Sequence, residues 1–396
     1  MGGRSAGFTG RRGCEPAQSD SDPTTPAAVL PGKGFSLGSA RPTVPPSRGR
    51  IRTRTYAASG VDLRSRDRAL RSLLQAARYH APASHGRPLA APGHFAGIVR
   101  IGRETVALTT DTVGTKVLLA EQLGRWEEVG EDLVAANVND LSAVGARPAA
   151  LVDTVLCGKP DEAVFRAIGR GVGRGLAAAR CSLIGGETAL VREIVSGVDL
   201  GATALGFFPG RRRPILGRAI RPGDRLLGLR SDGVHANGFT LVRRLLRESG
   251  VPLRAPRPGE RRPVGEELLV PTATYCEAVE RVADRAGVVG LAHISGGGVR
   301  NLVRLNPSVK FDLDRWPAPP TVFRWLQELG GISDHEMFRT FNMGVGFVVV
   351  VRPPAVGPVR RRLAAARPAG VVDLGSVVAG TGVDLPSWGL RYAGYA

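Results

Sequence analysis

Apolar residues along this chain fall into two alternating rhythms. Val164, Ile168, Val172 and Leu176 recur one helical turn apart behind Asp161, which predicts an amphipathic helix running to Ala179 with the aspartate as its N-cap. Similar spacing predicts helices over Leu63–Arg78, Glu131–Val144 and Leu241–Glu248. Asn237 stands where the last of these needs a cap, and Gly250 ends it. Short aliphatic and β-branched runs predict strands at Val106–Thr110, Ala149–Leu156, Cys181–Ile184, Val198–Phe208, Arg225–Leu229, Gly344–Val351 and Gly370–Val378. Strands and helices alternate in both halves, so the expected fold class is α/β, and 396 residues suffice for about two domains. Arg211–Arg213 and Pro214 read as a linker, which divides the chain at 56–212 and 213–396; Leu253–Pro263 is a charged, Pro-rich loop. Residues 1–55, rich in Pro, Gly, Ser, Thr and Arg, show no apolar period. They cannot bury enough surface to offset their ordering entropy and are expected to be a disordered basic tail, a transit peptide being the other reading.

Composition narrows the classes. No run of about 18 apolar residues exists to span a membrane, and the N-terminus lacks the apolar core of a secretory signal. Four cysteines, Cys14, Cys157, Cys181 and Cys276, are widely spaced with no CxxC pair, which argues against a disulfide framework or zinc site and for a reducing cytoplasm. The net charge of +19 is almost all arginine; lysine occurs only at Lys33, Lys116, Lys159 and Lys310. The arginines are scattered, and aromatics make up only 5%. That distribution fits a solvated basic surface drawing anionic small molecules better than a nucleic-acid interface.

Several short motifs carry chemistry. Asp111-Thr-Val-Gly114-Thr115-Lys116 follows a predicted strand. A carboxylate there can hold Mg²⁺, Gly114 lets backbone N–H groups approach a phosphate, and Lys116 supplies a point charge. An ordinary turn would carry the same residues. Asp140, inside an apolar helix, and Glu187, after Gly185-Gly186, add two carboxylates; a structural salt bridge is the plainer reading of Asp140. Three carboxylates and a lysine at element ends are what a Mg²⁺–triphosphate site requires. In the second half, the turn Ser231-Asp-Gly-Val-His235-Ala-Asn237-Gly leads into a helix start, an anion-binding geometry in which His235 is either an acid/base group or a surface residue. His293-Ile-Ser-Gly296-Gly297-Gly298 offers main-chain N–H groups to a phosphate, or is only a loose loop. Asn342, in Arg339-Thr-Phe-Asn-Met-Gly-Val-Gly346, lies at the edge of a buried strand. No P-loop or kinase motif set is present, so any ATP site is of another type.

Taken in order, DTVGTK, VNDLSAVGARP, GGET, SDGVHANGFTLVR, LLVPTATY, HISGGG and RTFNMGVGF make the chain resemble the aminoimidazole ribonucleotide synthetases, or phosphoribosylformylglycinamidine cyclo-ligases, from Tyr56 almost to the C-terminus. The resemblance implies a two-domain synthetase fold, with an N-terminal mixed-sheet domain that binds ATP and pairs into a homodimer, and a C-terminal α/β domain that binds a ribonucleotide. It implies ATP and Mg²⁺ at Asp111, Gly114, Thr115, Lys116, Asp140 and Glu187, with the metal on the three carboxylates. It puts substrate at His235, Asn237, His293, Gly296, Gly297, Gly298 and Asn342. His235, Lys116 and Asp111 become the catalytic candidates, with neither nucleic acid nor membrane as partner. The implied reaction is ATP-dependent ring closure of formylglycinamidine ribonucleotide through an iminophosphate. Three departures fall in the ATP half. The family's first-helix lysine is missing around Leu74, its glycine-rich loop appears as Ala90-Ala-Pro-Gly-His-Phe-Ala-Gly97, and Ala189-Leu-Val-Arg192 follows GGET in place of Ala-Glu-Met-Pro. They leave room for a diverged paralogue acting on a related amide, or for a non-catalytic homologue.

Overall fold

The computed structural model describes residues 63–77, 82, 84–90, 92–366 and 370–395. The expected tail at 1–55 and Arg78 lie outside the described residues. The first sheet has six strands, β1 (Arg87–Pro88), β2 (Gly97–Ile101), β3 (Glu104–Thr112), β4 (Arg147–Cys157), β5 (Ser182–Leu190) and β6 (Val198–Phe207), in the order β1-β2-β3-β6-β4-β5. All pairs are antiparallel except β4 with β5. Helices precede and interrupt it: α1 (Leu63–Ala76), α2 (Val117–Leu123), α3 (Glu127–Ser142) and α4 (Glu162–Ala179). Asp161 caps α4 as expected, accepting from the backbone N–H of Ala163 at 2.9 Å and Val164 at 3.1 Å.

Side chains alternate across this sheet, and its two faces differ. Ala107, Leu151, Val155, Ala202 and Ala204 are buried beneath the helices. On the other face, Leu108, Val152 and Phe207 are 44%, 36% and 37% exposed. The row Thr112–Gly201–Thr154–Glu187 crosses that same open face. The expected short strand at Cys181–Ile184 in fact continues to Leu190. Glu187 therefore sits within an exposed edge strand, not in a loop beyond one.

The second sheet holds β7 (Arg225–Arg230), β8 (Val288–His293), β9 (Lys310–Asp312), β10 (Val345–Val351), β11 (Val371–Val378), β12 (Gly382–Leu385) and β13 (Leu390–Tyr392), ordered β13-β12-β9-β11-β7-β10-β8. All seven residues of β10 are buried, which explains its unbroken Val/Phe run: a strand covered on both faces has no polar positions to alternate with. Helix α5 (Phe239–Ser249) follows β7. Its N-cap is Gly238 in a left-handed conformation, and no side chain caps it. The expected Asn237 cap is thus incorrect. The glycine turn starts the helix one residue later than expected, and the Asn237 side chain lies beside Gly296 instead.

Buried polar residues on α3 tie the two sheets together. Asn139 donates from Nδ2 to the Ala273 carbonyl and accepts from the Tyr275 N–H, both at 2.8 Å. Asp132 Oδ1 accepts from the Thr272 backbone N–H at 2.8 Å and its hydroxyl at 2.6 Å. Residues 270–275, the end of the LLVPTATY motif (268–275), are therefore an extended strap held by one helix face. Buried backbone groups need such partners wherever no ladder supplies them.

Candidate active site

Strand β3 delivers Asp111 to the seam between the sheets, α3 delivers Asp140, and β8 ends on His293. His293 Nδ1–H donates to Asp140 Oδ1 at 2.9 Å. The carboxylate accepts there, and His293 Nε2 is buried with no partner. Asp111 Oδ1 accepts from the Thr112 N–H at 2.8 Å. Its side chain reaches solvent on one side but is crowded by protein on the other. That desolvation, with the neighbouring Asp140 charge, raises its carboxyl to about 6. Two carboxylates that repel each other at a water-facing seam fit a Mg²⁺ ion, which needs few carboxylates and draws other ligands from phosphate and water.

A pH prediction follows from Asp111. Its folded-state pKa is raised from an ordinary 3.8 to about 6. The stability it contributes is full below the unfolded value and is lost as pH rises through the folded one. Metal-free protein should lose stability through this group between roughly pH 4 and 6, and Asp111→Asn should remove that part of the slope. Denaturant midpoints measured across the window check it.

His235 comes from the turn after β7. It is buried, adopts a left-handed φ of 65°, and neither ring nitrogen has a partner. A non-glycine residue in that region is strained, a condition that recurs at functional sites. Burial, then the His293 and Lys116 charges, pushes its imidazole well below the usual range, so it is neutral. Gly346 makes room for it: a Cβ there would lie 2.0 Å from the Tyr275 hydroxyl and 2.7 Å from His235 Cε1. Asn237 reaches the glycine loop, its Oδ1 only 2.9 Å from where a Cβ on Gly296 would stand. SDGVHANG and HISGGG therefore converge.

The loop at Gly296–Gly298 is packed rather than loose. Gly298 has φ 58°, and a Cβ on it would come within 1.9 Å of the Phe338 carbonyl. The Gly298 N–H is already donated to the Ser295 carbonyl at 2.9 Å, so the cradle offers fewer free donors than three glycines suggest. Asn301 Nδ2 donates to the Gly298 carbonyl at 3.0 Å and braces the loop from behind. Gly114 faces open space with φ 69°, and the Thr115 hydroxyl pairs with that of Thr240 at 3.1 Å.

Three expected site residues are placed differently. Lys116 is fully buried: its ammonium meets Asp132 Oδ2 at 2.6 Å, donates to the Val270 carbonyl at 2.8 Å and lies over the Phe239 ring. In this arrangement its ammonium latches the two halves together and faces protein, not open space. Asn342 is also engaged. Its Oδ1 accepts from the Ser231 hydroxyl at 2.7 Å and the Gly344 N–H at 2.9 Å, while Nδ2 donates to the Gly233 carbonyl at 2.9 Å. It builds the turn that carries His235. Glu187 lies across the sheet from the Asp111–Asp140 pair, and no group of three metal-ligating side chains forms among the described residues. Within one chain the three-carboxylate set is therefore not assembled. The pattern alone missed Asp132, although a charge inside an apolar helix is the same signal that marked Asp140. It also missed His94, which is half-buried and held neutral by desolvation and Arg304, its pKa lowered to about 4.

Two mixed sheets meeting at a seam of carboxylates, imidazoles and packed glycine loops define a two-domain synthetase. The AIR synthase related protein N-terminal domain matches residues 93–208, and the corresponding C-terminal domain matches 221–386. The chain belongs to the AIR synthase family. It is 42% identical over 299 residues to the phosphoribosylformylglycinamidine cyclo-ligase of Methanosarcina barkeri, covering 75% of this chain and 88% of the relative. It is 39% identical over 349 residues to the cyclo-ligase of Thermococcus kodakarensis, covering 85% and 99%. Among solved structures, HypE in its complex with HypF superimposes with a TM-score of 0.58 at 16% identity, over 82% of this chain and 97% of that one. ThiL complexed with AMPPCP and TMP superimposes at 0.57 and 17%, over 85% and 98%. Those two likenesses concern the fold.

Proposed function

We propose that this chain closes the imidazole ring of aminoimidazole ribonucleotide in purine synthesis, converting formylglycinamidine ribonucleotide and ATP to product, ADP and phosphate. The observation that carries the reading is the cluster of Asp111, Asp140, His293 and His235 at the seam, in a chain about 40% identical to named cyclo-ligases. The formamide oxygen attacks the γ-phosphoryl group, ADP leaves and the formamide nitrogen gives up its proton, which yields an iminophosphate. An amidine nitrogen then adds to that carbon, and phosphate leaves with the former formyl oxygen.

Asp111 and Asp140 would hold Mg²⁺, which neutralises charge on the transferring phosphoryl group. His293, its Nδ1–H held by Asp140, offers its unpartnered Nε2 to a polar group of the substrate. His235, neutral and unpartnered, takes a proton from the attacking amidine nitrogen. Gly114 and the Gly296–Gly298 loop allow close approach of phosphate groups, with Asn237 beside the latter. If the formamide carries ¹⁸O, the label is expected in inorganic phosphate; label in water would sink the iminophosphate route.

The open face of the first sheet supports a homodimer. Leu108, Val152 and Phe207 form an apolar surface of the kind sheet-on-sheet packing covers. Glu187 shares that face, so pairing would place it at the interface near a partner's site. Val152→Arg is expected to give a monomer by light scattering with most activity lost; a dimer of unchanged mass would count against this surface. The reading carries a cytoplasmic setting with it.

A further inference from the structure

The linker between the two halves forms one wall of a cavity that the reaction above leaves unused. It encloses about 940 Å³, within the range of small-molecule sites. Its lining comes from residues 209–219, from Arg147 at the start of β4, and from the segment 283–289 that leads into β8. It is not the seam. Strand β8 runs from Val288 at the cavity to His293 at the reaction site, roughly 16 Å at the rise of a strand. In the first sheet Arg147 pairs with Phe207 and Asp111 with Ala202, five residues apart on β6. Cavity and seam are therefore separated by about a strand's length.

Six arginines line this cavity: Arg147, Arg211, Arg212, Arg213, Arg218 and Arg285. Two carboxylates answer them. Arg212, its side chain only 1% exposed, donates to Glu280 at 2.8 Å and to Asp284 at 2.7 Å, and Arg147 pairs with Glu280 as well. Six guanidiniums against two carboxylates leave four positive charges in excess. Among the described residues, Arg211, Arg213, Arg218 and Arg285 make no ion pair and no side-chain hydrogen bond. Arg218 also acts by its charge on His94, so Arg211, Arg213 and Arg285 are the cleaner probes. Scattered arginines on a solvated face need no counter-charge, but like charges gathered round one concavity repel one another and focus their field into it. The frame that gathers them is fixed. Arg212 Nη1 donates to the Gly145 carbonyl at 3.4 Å, and the Ile215 N–H donates to the Val144 carbonyl at 2.9 Å. Gly217 turns at φ 76° so close to Leu305 that a Cβ on it would lie 2.7 Å from the Leu305 carbonyl oxygen. Half-buried Ile215, Leu216, Val288 and Val289 give the cavity an apolar floor. An anion that matches this charge carries several negative groups in a short span, and guanidinium is the donor suited to phosphate.

We propose that this cavity is a second anion site, which binds an oligophosphate chain, free or as the tail of a nucleotide, between the two halves of the protein. The full chain is titrated calorimetrically with sodium tripolyphosphate in EDTA, so that no Mg²⁺ bridges the anion to Asp111 and Asp140. A single site per chain is expected. Arg211→Glu with Arg213→Glu should weaken the binding by about tenfold or more, since two attractions become repulsions. Arg285→Gln, on the other segment, should weaken it as well, which keeps the test decisive if the charge reversal disturbs folding. Arg261→Glu with Arg262→Glu changes the net charge equally on a loop that lines no part of the cavity, and should cost far less. Asp111→Asn should change nothing. ATP in place of tripolyphosphate separates the two sources. Tighter binding of ATP assigns the apolar floor to a nucleoside, and equal or weaker binding assigns the site to a free phosphate chain. The proposal is overturned by no binding at millimolar tripolyphosphate, by unchanged binding in both cavity variants, by an equal loss in the Arg261 and Arg262 control, or by tighter binding in Asp111→Asn. A single-stranded oligonucleotide that binds more tightly than tripolyphosphate also overturns it, because the surface is then a nucleic-acid groove. None of these readings depends on turnover, so failure of the ring-closing reaction leaves the anion site standing.

Discussion

Asp132→Ala is expected to destabilise the folded chain by about 3–5 kcal/mol, the cost of leaving a buried charge without its partner. Lys116 and Asp132 are both fully shielded from water and meet at 2.6 Å. Burial lowers the pKa of the Lys116 ammonium, and Asp132 is the main influence opposing that shift. The same substitution removes the acceptor for the Thr272 N–H and hydroxyl, so the strap at 270–275 loses part of its hold on α3 as well. Lys116→Met in the same chain as Asp132→Leu should recover much of the loss, because replacing both members of a buried pair with apolar groups is far milder than removing one. Urea midpoints of the three variants test this. A double variant that regains stability and keeps its KM for ATP makes Lys116 a latch. A double variant that is stable but has lost ATP affinity returns the lysine to the nucleotide.

The second large effect concerns Asp140. Its carboxylate holds the His293 tautomer at 2.9 Å and raises the pKa of Asp111. Asp140→Ala is expected to lower kcat by about 10²–10³, the range for losing one preorganised electrostatic group from a site. It should also leave Asp111 titrating nearer its ordinary value, since a repelling neighbour is gone. Stability should change little by comparison, because the side chain is partly exposed. Steady-state kinetics beside a denaturation curve separate the two. Full activity in the alanine variant would remove Asp140 from the site.

Most of the fold was legible because periodicity survives in amphipathic elements. The α4 stripe with its Asp161 cap, the buried β10 run and the alternating β6 strand all appear where the pattern put them. Local signals failed where a tertiary partner decides. The glycines before Glu187 read as a strand end, yet β5 runs through them because β4 supplies a parallel ladder. Asn237 had the right composition for a cap, but Gly238 turned the chain first. The lysine of DTVGTK had the chemistry of a phosphate ligand; only the packing of α3 and the strap showed that its charge is already matched by Asp132. Asp111, Asp140, His235 and His293 are brought together from both halves of the sequence, which motif order suggested and spacing could not measure. His94 escaped notice because its segment read only as a departure from the family's glycine-rich loop, and Arg304, which holds its backbone, is 210 residues away.

The account stands most directly on one measurement: the purified full chain incubated with Mg·ATP and formylglycinamidine ribonucleotide, with aminoimidazole ribonucleotide, ADP and phosphate each followed in time. The predicted result is that the three appear together in equal amounts. No product at micromolar enzyme, or ATP hydrolysis without ring closure, would contradict it.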